Sequence, residues 1–168
     1  MVAVLGLDPG TATLGFAVVA EGAGGRLQLL EAGAVRTSPR DDLGARLLAI
    51  KAGIGRVVAQ HGPTELAIEK LFFGKNATSA VAVGQARGVA ILVAAEQGMP
   101  VNEYTPAEIK QSVANYGNAR KEQIQEMVRI LLGLPTVIQP DDAADAAAIA
   151  ICHLHARAGQ RMVARAMR

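Results

Sequence analysis

The sequence predicts an α/β fold, a mixed five-stranded sheet with helices on its faces. Three observations predict it. Within residues 2–37, apolar runs of strand length are joined by short Gly-containing turns. Beyond residue 40, apolar residues recur at helical spacing. Two further short runs, "ELAIE" at 65–69 and "PVNEY" at 100–104, flank a helical stretch. A helix between two strands makes a crossover to a parallel neighbour.

Each element follows from its residues. Residues 2–8 read as a buried strand, and Pro9–Gly10 turns the chain into a second strand, Leu14–Ala20. Gly22, Gly24 and Gly25 mark a hairpin loop before a third strand, Arg26–Thr37. These three strands form an antiparallel meander. Ser38–Pro39 breaks the pattern, and Leu43, Leu47, Ile50, Ile54, Val57 and Val58 trace a helix over 41–60 that Pro63 ends. A fourth strand (65–69), a helix (76–97) and a fifth strand (100–104) come next. Thr105 is placed to cap the following helix, with Pro106 at its first position and Glu108 completing a capping box. Gly117 breaks that helix, 119–132 forms another, and the last runs from Asp141 into an Arg-rich end.

Composition narrows the class. The 168 residues are 51% hydrophobic and 19% charged, which is the composition of a globular chain and suits one domain over 1–168. No apolar run reaches the roughly 20 residues of a membrane span, and no signal peptide is evident. The lone Cys152 excludes an internal disulfide and fits a reducing cytoplasm. Net charge is +2 but unevenly placed. Arg157, Arg161, Arg165 and Arg168 lie in an acid-free helix end, 157–168; without those four, 13 of the 17 basic residues remain against 15 acidic ones. Such an end suits a polyanionic partner or is a solvated helix terminus.

Four carboxylates stand on apolar elements. Asp8 ends the first strand, Glu69 ends the fourth, and Asp142 and Asp145 open the Ala-rich last helix. A spacing of three puts Asp142 and Asp145 on one helical face. Each has an ordinary reading: an Asx turn at Asp8, a solvated strand end at Glu69, a favourable helix dipole at Asp141, Asp142 and Asp145. Asp141 is expected to do only that. Together, two strand ends and a helix start are able to converge, and oxygen ligands without Cys or His suit Mg²⁺ or Mn²⁺. Such sites characteristically hold two ions about 3.5–4 Å apart and cleave phosphodiesters by in-line attack.

The stretches "GLDPGTATLGFAVV", "LAIEKLFFGKNATSAVAVGQARGVA", "YTPAEIKQSV", "RKEQIQEMVRILLGLP" and "DDAADAAAIAICH" together resemble the RuvC family of crossover-junction endodeoxyribonucleases. The resemblance runs in order from residue 2 to about 156. It implies a ribonuclease H-like fold with helices on both faces of the sheet. It also implies a homodimer that nicks four-way (Holliday) junction DNA symmetrically, leaving 5′-phosphate and 3′-hydroxyl ends, and a branch-migration helicase as a further partner. Carried over by motif, Asp8, Glu69, Asp142 and Asp145 match the family's metal-binding acids, although the family varies at the position of Asp142. The cofactor implied is Mg²⁺, two ions per site, with Mn²⁺ as a substitute. His153 falls where the family often has a His, and no catalytic role is assigned to it.

Other positions carry both a functional and an ordinary reading. Phe72 and Phe73 follow Glu69 in a chain with three Phe. An aromatic beside a nuclease centre stacks on an unpaired base, and Phe72 matches the family's stacking position; core packing is the alternative. Lys75 and Asn76 are candidates for phosphate or base contact, and Lys110 and Lys121 match family lysines near the scissile strand. Alone, each lysine is an ordinary surface charge. Ala80, Gly84 and Gly88 repeat every four residues in a helix apolar on nearly every face. That pattern suits either a dimer interface or a merely internal helix.

Two rival classes are weaker. Sugar kinases and chaperone ATPases also open with a strand, an Asp and a Gly turn, but they need a second lobe with another phosphate loop. A junction-binding protein without catalysis would have lost at least one acid, and all four are present.

Overall fold

The computed structural model describes residues 2–71 and 77–167, with 77–79 described by backbone alone. Five strands, β1 (Val2–Asp8), β2 (Thr13–Glu21), β3 (Leu27–Arg36), β4 (Glu65–Glu69) and β5 (Val101–Tyr104), form one sheet in the order β3-β2-β1-β4-β5. The expected meander is present: β1 pairs antiparallel with β2, and β2 with β3. The crossover is present too, since β4 runs parallel to both β1 and β5. A register shift at Val18/Val19 is the one irregularity among these pairings.

Helices α1 (Leu43–His61) and α2 (Ala77–Glu96) cover one face. Helices α3 (Pro106–Ala114), α4 (Lys121–Leu131) and α5 (Asp141–Ala166) cover the other. The period-2 alternation of a strand assigns each side chain to a face. Leu5, Leu7, Leu66 and Ile68 meet α1 and α2, together with Ile50, Ile54 and Val93. Val4 and Ala67 meet the α5 side. Asp8 and Glu69 continue this second series, so alternation alone aims both acids at α5.

Two helix ends differ from expectation. The first helix stops at Gly62, which adopts the left-handed conformation (φ 55°) before Pro63 is reached. The third ends at Asn115 (φ 55°), two residues ahead of Gly117. Asn is among the few non-Gly residues that enter this region readily, and it leaves no sequence mark as strong as Gly. The capping box of Thr105 and Glu108 is formed as expected.

Small residues set the depth of α5. Ala143, Ala144, Ala146, Ala147, Ala148 and Ala150 are all buried. A Cβ built at Gly6 would lie 2.1 Å from the Ala146 carbonyl oxygen, and one at Gly15 would lie 2.0 Å from that of Asp142. The helix backbone therefore rests almost directly on β1 and β2. Gly6→Ala is expected to destabilise the fold by about 1–3 kcal/mol, because the clash is with backbone. Gly55→Ala, where a Cβ meets nothing within 4 Å, is expected to stabilise α1 by roughly 0.5–1 kcal/mol. Urea unfolding midpoints of the two variants check both signs.

Candidate active site

Parallel strands β1 and β4 are neighbours, so their carboxyl ends place Asp8 and Glu69 side by side at one edge of the sheet. Asp8 pairs in register with Gly15 of β2. The close contact at Gly15 brings the first turn of α5, with Asp142, over that same corner. Asp145 follows one turn later. Asp8, Glu69 and Asp145 line a cleft of about 230 Å³ whose walls include Lys110, Lys121, Ile109 and Ile124. Asp142 does not line the cleft, but its charge acts on Asp8.

The electrostatics are those of crowded carboxylates. Burial, and then the charges of Asp145, Glu69 and Asp142, push the Asp8 carboxyl up from 3.8 to about 7, against a smaller opposing pull from Lys121. Burial and the Asp145 charge also push Glu69 up, opposed by Lys110. Lys121 Nζ lies 3.1 Å from Asp145 Oδ2 and 3.3 Å from Asp141 Oδ2. Burial disfavours the Lys121 ammonium, but its bonds to Asp145 and Asp141 outweigh this and hold it protonated. Asp141 thus does more than complement the helix dipole, because it helps to hold this lysine.

A divalent metal fits the donor set. The donors are all carboxylate oxygens, the chemistry of a hard cation. The raised Asp8 and Glu69 pKa values mark a site whose negative potential a cation would relieve. Among the described residues no three ligating side chains are gathered into a closed metal cage. Asp145 is engaged by Lys121 at 3.1 Å.

Phe72, Phe73, Lys75 and Asn76 lie outside the described residues. On α2, Ala80 is buried within the chain, Gly84 is half-buried and Gly88 is exposed. Each step of four residues drifts about 40° around the helix, so the three positions share a face about 80° wide whose exposure grows from Ala80 to Gly88. Among the described residues of α2, the exposed large apolar side chains are Val81 and Leu92, at 59% and 51% exposure. In the Arg-rich end, Arg157 is bound to Glu65, and Arg161 Nη2 lies 2.6 Å from Glu21 Oε1. Two of its arginines thus answer acids of the sheet.

Sequence reasoning missed a buried polar chain. Tyr104 Oη lies 2.6 Å from His153 Nδ1, whose Nε2 lies 2.7 Å from Glu65 Oε2. Burial pushes the His153 imidazole below its usual pKa. Also missed was Arg87, buried at 8% exposure with its guanidinium at the end of β4. An Arg inside an apolar helical run was the available signal.

Acids at the carboxyl ends of adjacent parallel strands, faced by a helix that adds more, define a ribonuclease H-like nuclease architecture. The family model described as Crossover junction endodeoxyribonuclease RuvC matches residues 4–153. A relative of that description from Chloroflexus aggregans is 54% identical over 151 residues, covering 90% of this chain and 92% of its own. The structure of Thermus thermophilus RuvC in complex with Holliday junction substrate matches with a TM-score of 0.89 at 38% identity, covering 95% of this chain and 97% of that one. The chain belongs to the RuvC family of crossover junction endodeoxyribonucleases, which are metal-dependent nucleases. The yeast mitochondrial resolvase Ydc2, 13% identical with a TM-score of 0.66, shares the fold.

The raised Asp8 pKa makes stability depend on pH. A carboxyl with a folded pKa above its unfolded value stabilises the fold fully below about pH 4 and loses that contribution as pH rises through about 7. The difference between 3.8 and about 7 amounts to roughly 4 kcal/mol at most. Without divalent metal, Asp8→Asn is expected to melt several degrees above wild type at pH 8, with the gap closing toward pH 4. Calorimetric melting across that range checks the sign.

Proposed function

We propose that this chain resolves Holliday junctions in recombination and repair. It acts as a homodimer, cutting symmetrically and leaving 5′-phosphate and 3′-hydroxyl ends. The observation that carries the reading is the convergence of Asp8, Glu69 and Asp145 on one cleft flanked by Lys110 and Lys121. Asp8, Glu69, Asp142 and Asp145 would hold two Mg²⁺ ions, with Mn²⁺ as a substitute. When bound, the ions would supply an activated water and offset charge on the leaving 3′ oxygen.

The chain's own residues do the rest. Lys110 and Lys121 neutralise phosphate and draw the scissile strand against the otherwise repelling acids. Lys121 leaves Asp145 as the strand and cation enter. Phe72 would stack on an unpaired base at the junction centre, and Phe73, Lys75 and Asn76 would make further DNA contacts. The partner copy sits on the open face of α2, through Val81, Gly88 and Leu92, with Gly84 at its edge. We further place the single nuclease domain, 1–168, in the cytoplasm alongside a branch-migration helicase.

A mobile synthetic four-way junction with Mg²⁺ tests this reading. Wild type is expected to make paired symmetric nicks. Asp8→Asn is expected to bind the junction and make none. Lys121→Ala should cut about 10²–10³-fold more slowly if its charge serves the transition state. Binding without cutting by wild type, in Mg²⁺ and Mn²⁺ alike, would leave a junction-binding protein.

A further inference from the structure

We propose that Arg87 is a positioning residue that fixes Glu69 in the cleavage site by clamping the main chain at the end of β4. The inference rests on the reading of Glu69 as a metal-binding acid. Among the described residues, the buried polar side chains are Arg87 and His153. Burying a guanidinium is costly unless its donors are satisfied. Here Nη1 donates to the Glu69 carbonyl oxygen at 2.6 Å, and Nη2 donates to the Glu103 carboxylate of β5.

The position of that carbonyl matters. The last pair between β1 and β4 is Leu7↔Ile68, so Glu69 lies one residue beyond it. Arg87 supplies a donor where that pairing has ended. It comes from α2, on the face of the sheet opposite α5. The Glu69 side chain points the other way, into the cleft. The clamp therefore sets the direction of the Glu69 Cα–Cβ bond without bonding its carboxylate. A planar fork with fixed donors suits this task, because it ties the carbonyl of one strand to a side chain of the next. A Lys has one nitrogen and cannot span both in the same geometry.

Partners that orient a metal ligand typically contribute 10–100-fold in metal affinity or activity. Mn²⁺ binding to the DNA-free protein, read by paramagnetic resonance of the free ion, is the primary measurement. Junction binding in chelator and circular dichroism accompany it. Arg87→Met is expected to raise the half-saturating Mn²⁺ concentration about tenfold, to slow junction cutting comparably, and to leave chelator-state junction binding within about twofold. Arg87→Lys should recover part of the loss. Glu103→Ala, at a half-exposed site, should shift Mn²⁺ binding in the same direction by less. If Arg87→Met does not fold, Arg87→Lys and Glu103→Ala decide. Wild-type Mn²⁺ binding in the folded variants overturns the proposal, as does a loss that circular dichroism attributes wholly to unfolding. Glu69→Gln separates the two readings. If it abolishes cutting while folded Arg87 variants behave as wild type, the clamp is wrong and the site stands. If Glu69→Gln cuts normally, the underlying role of Glu69 fails.

Discussion

The contact between α5 and the strands beneath it is closer than side chains normally allow, and the site depends on it. Gly6 and Gly15 offer no Cβ, and α5 answers with alanines, so helix backbone meets strand backbone. This brings the amino end of α5 down onto the corner where β1 and β4 finish. Asp142 and Asp145 ride on that end. A larger residue at either glycine would lift the helix and carry two acids away from Asp8. Packing and chemistry are thus one constraint here, and the Ala-rich composition of α5 is a requirement of the site rather than a helix-propensity effect.

Crowding the acids has an electrostatic cost that the fold tolerates. Asp8 is half-buried and faced by three other carboxylates, and its acidity falls accordingly. Lys121 and Lys110 temper the cluster from the α3–α4 side without closing it. An arrangement that destabilises the chain alone and is relieved by a cation couples stability to metal binding at the acids proposed to hold the ions. The opposite face contributes through backbone: α2 reaches the end of β4 with Arg87, and none of its described side chains lines the cleft. One side of the sheet thus supplies charge and the other supplies placement.

Much of this was legible in the residues. Apolar runs joined by short turns and the crossover rule gave the mixed sheet, and apolar elements ending in Asp8 and Glu69 singled out two acids that the fold brings to one cleft. The helix ends at Gly62 and Asn115 were misread because Pro63 and Gly117 are louder signals than a left-handed Asn or a Gly one residue earlier. The stripe Ala80, Gly84, Gly88 shows in sequence as small residues at helical spacing, but the pattern does not say that Ala80 is covered by the chain itself while Gly88 is exposed. The pairings of Arg87, of Arg157 with Glu65, and of Tyr104 with His153 join residues far apart in sequence. No local pattern specifies such partners; they follow from the register of the sheet and the depth of α5.

The most direct test of a cation site built from mutually repelling acids is the titration of Asp8 itself. Carbon NMR of the Asp8 carboxyl would be recorded with chelator and with saturating Mg²⁺. A midpoint near 7 in chelator that falls well below 5 with Mg²⁺, and returns when the metal is removed, is the predicted result. A midpoint near 4 under both conditions would contradict it, because Asp8 would then be an ordinary solvated strand end.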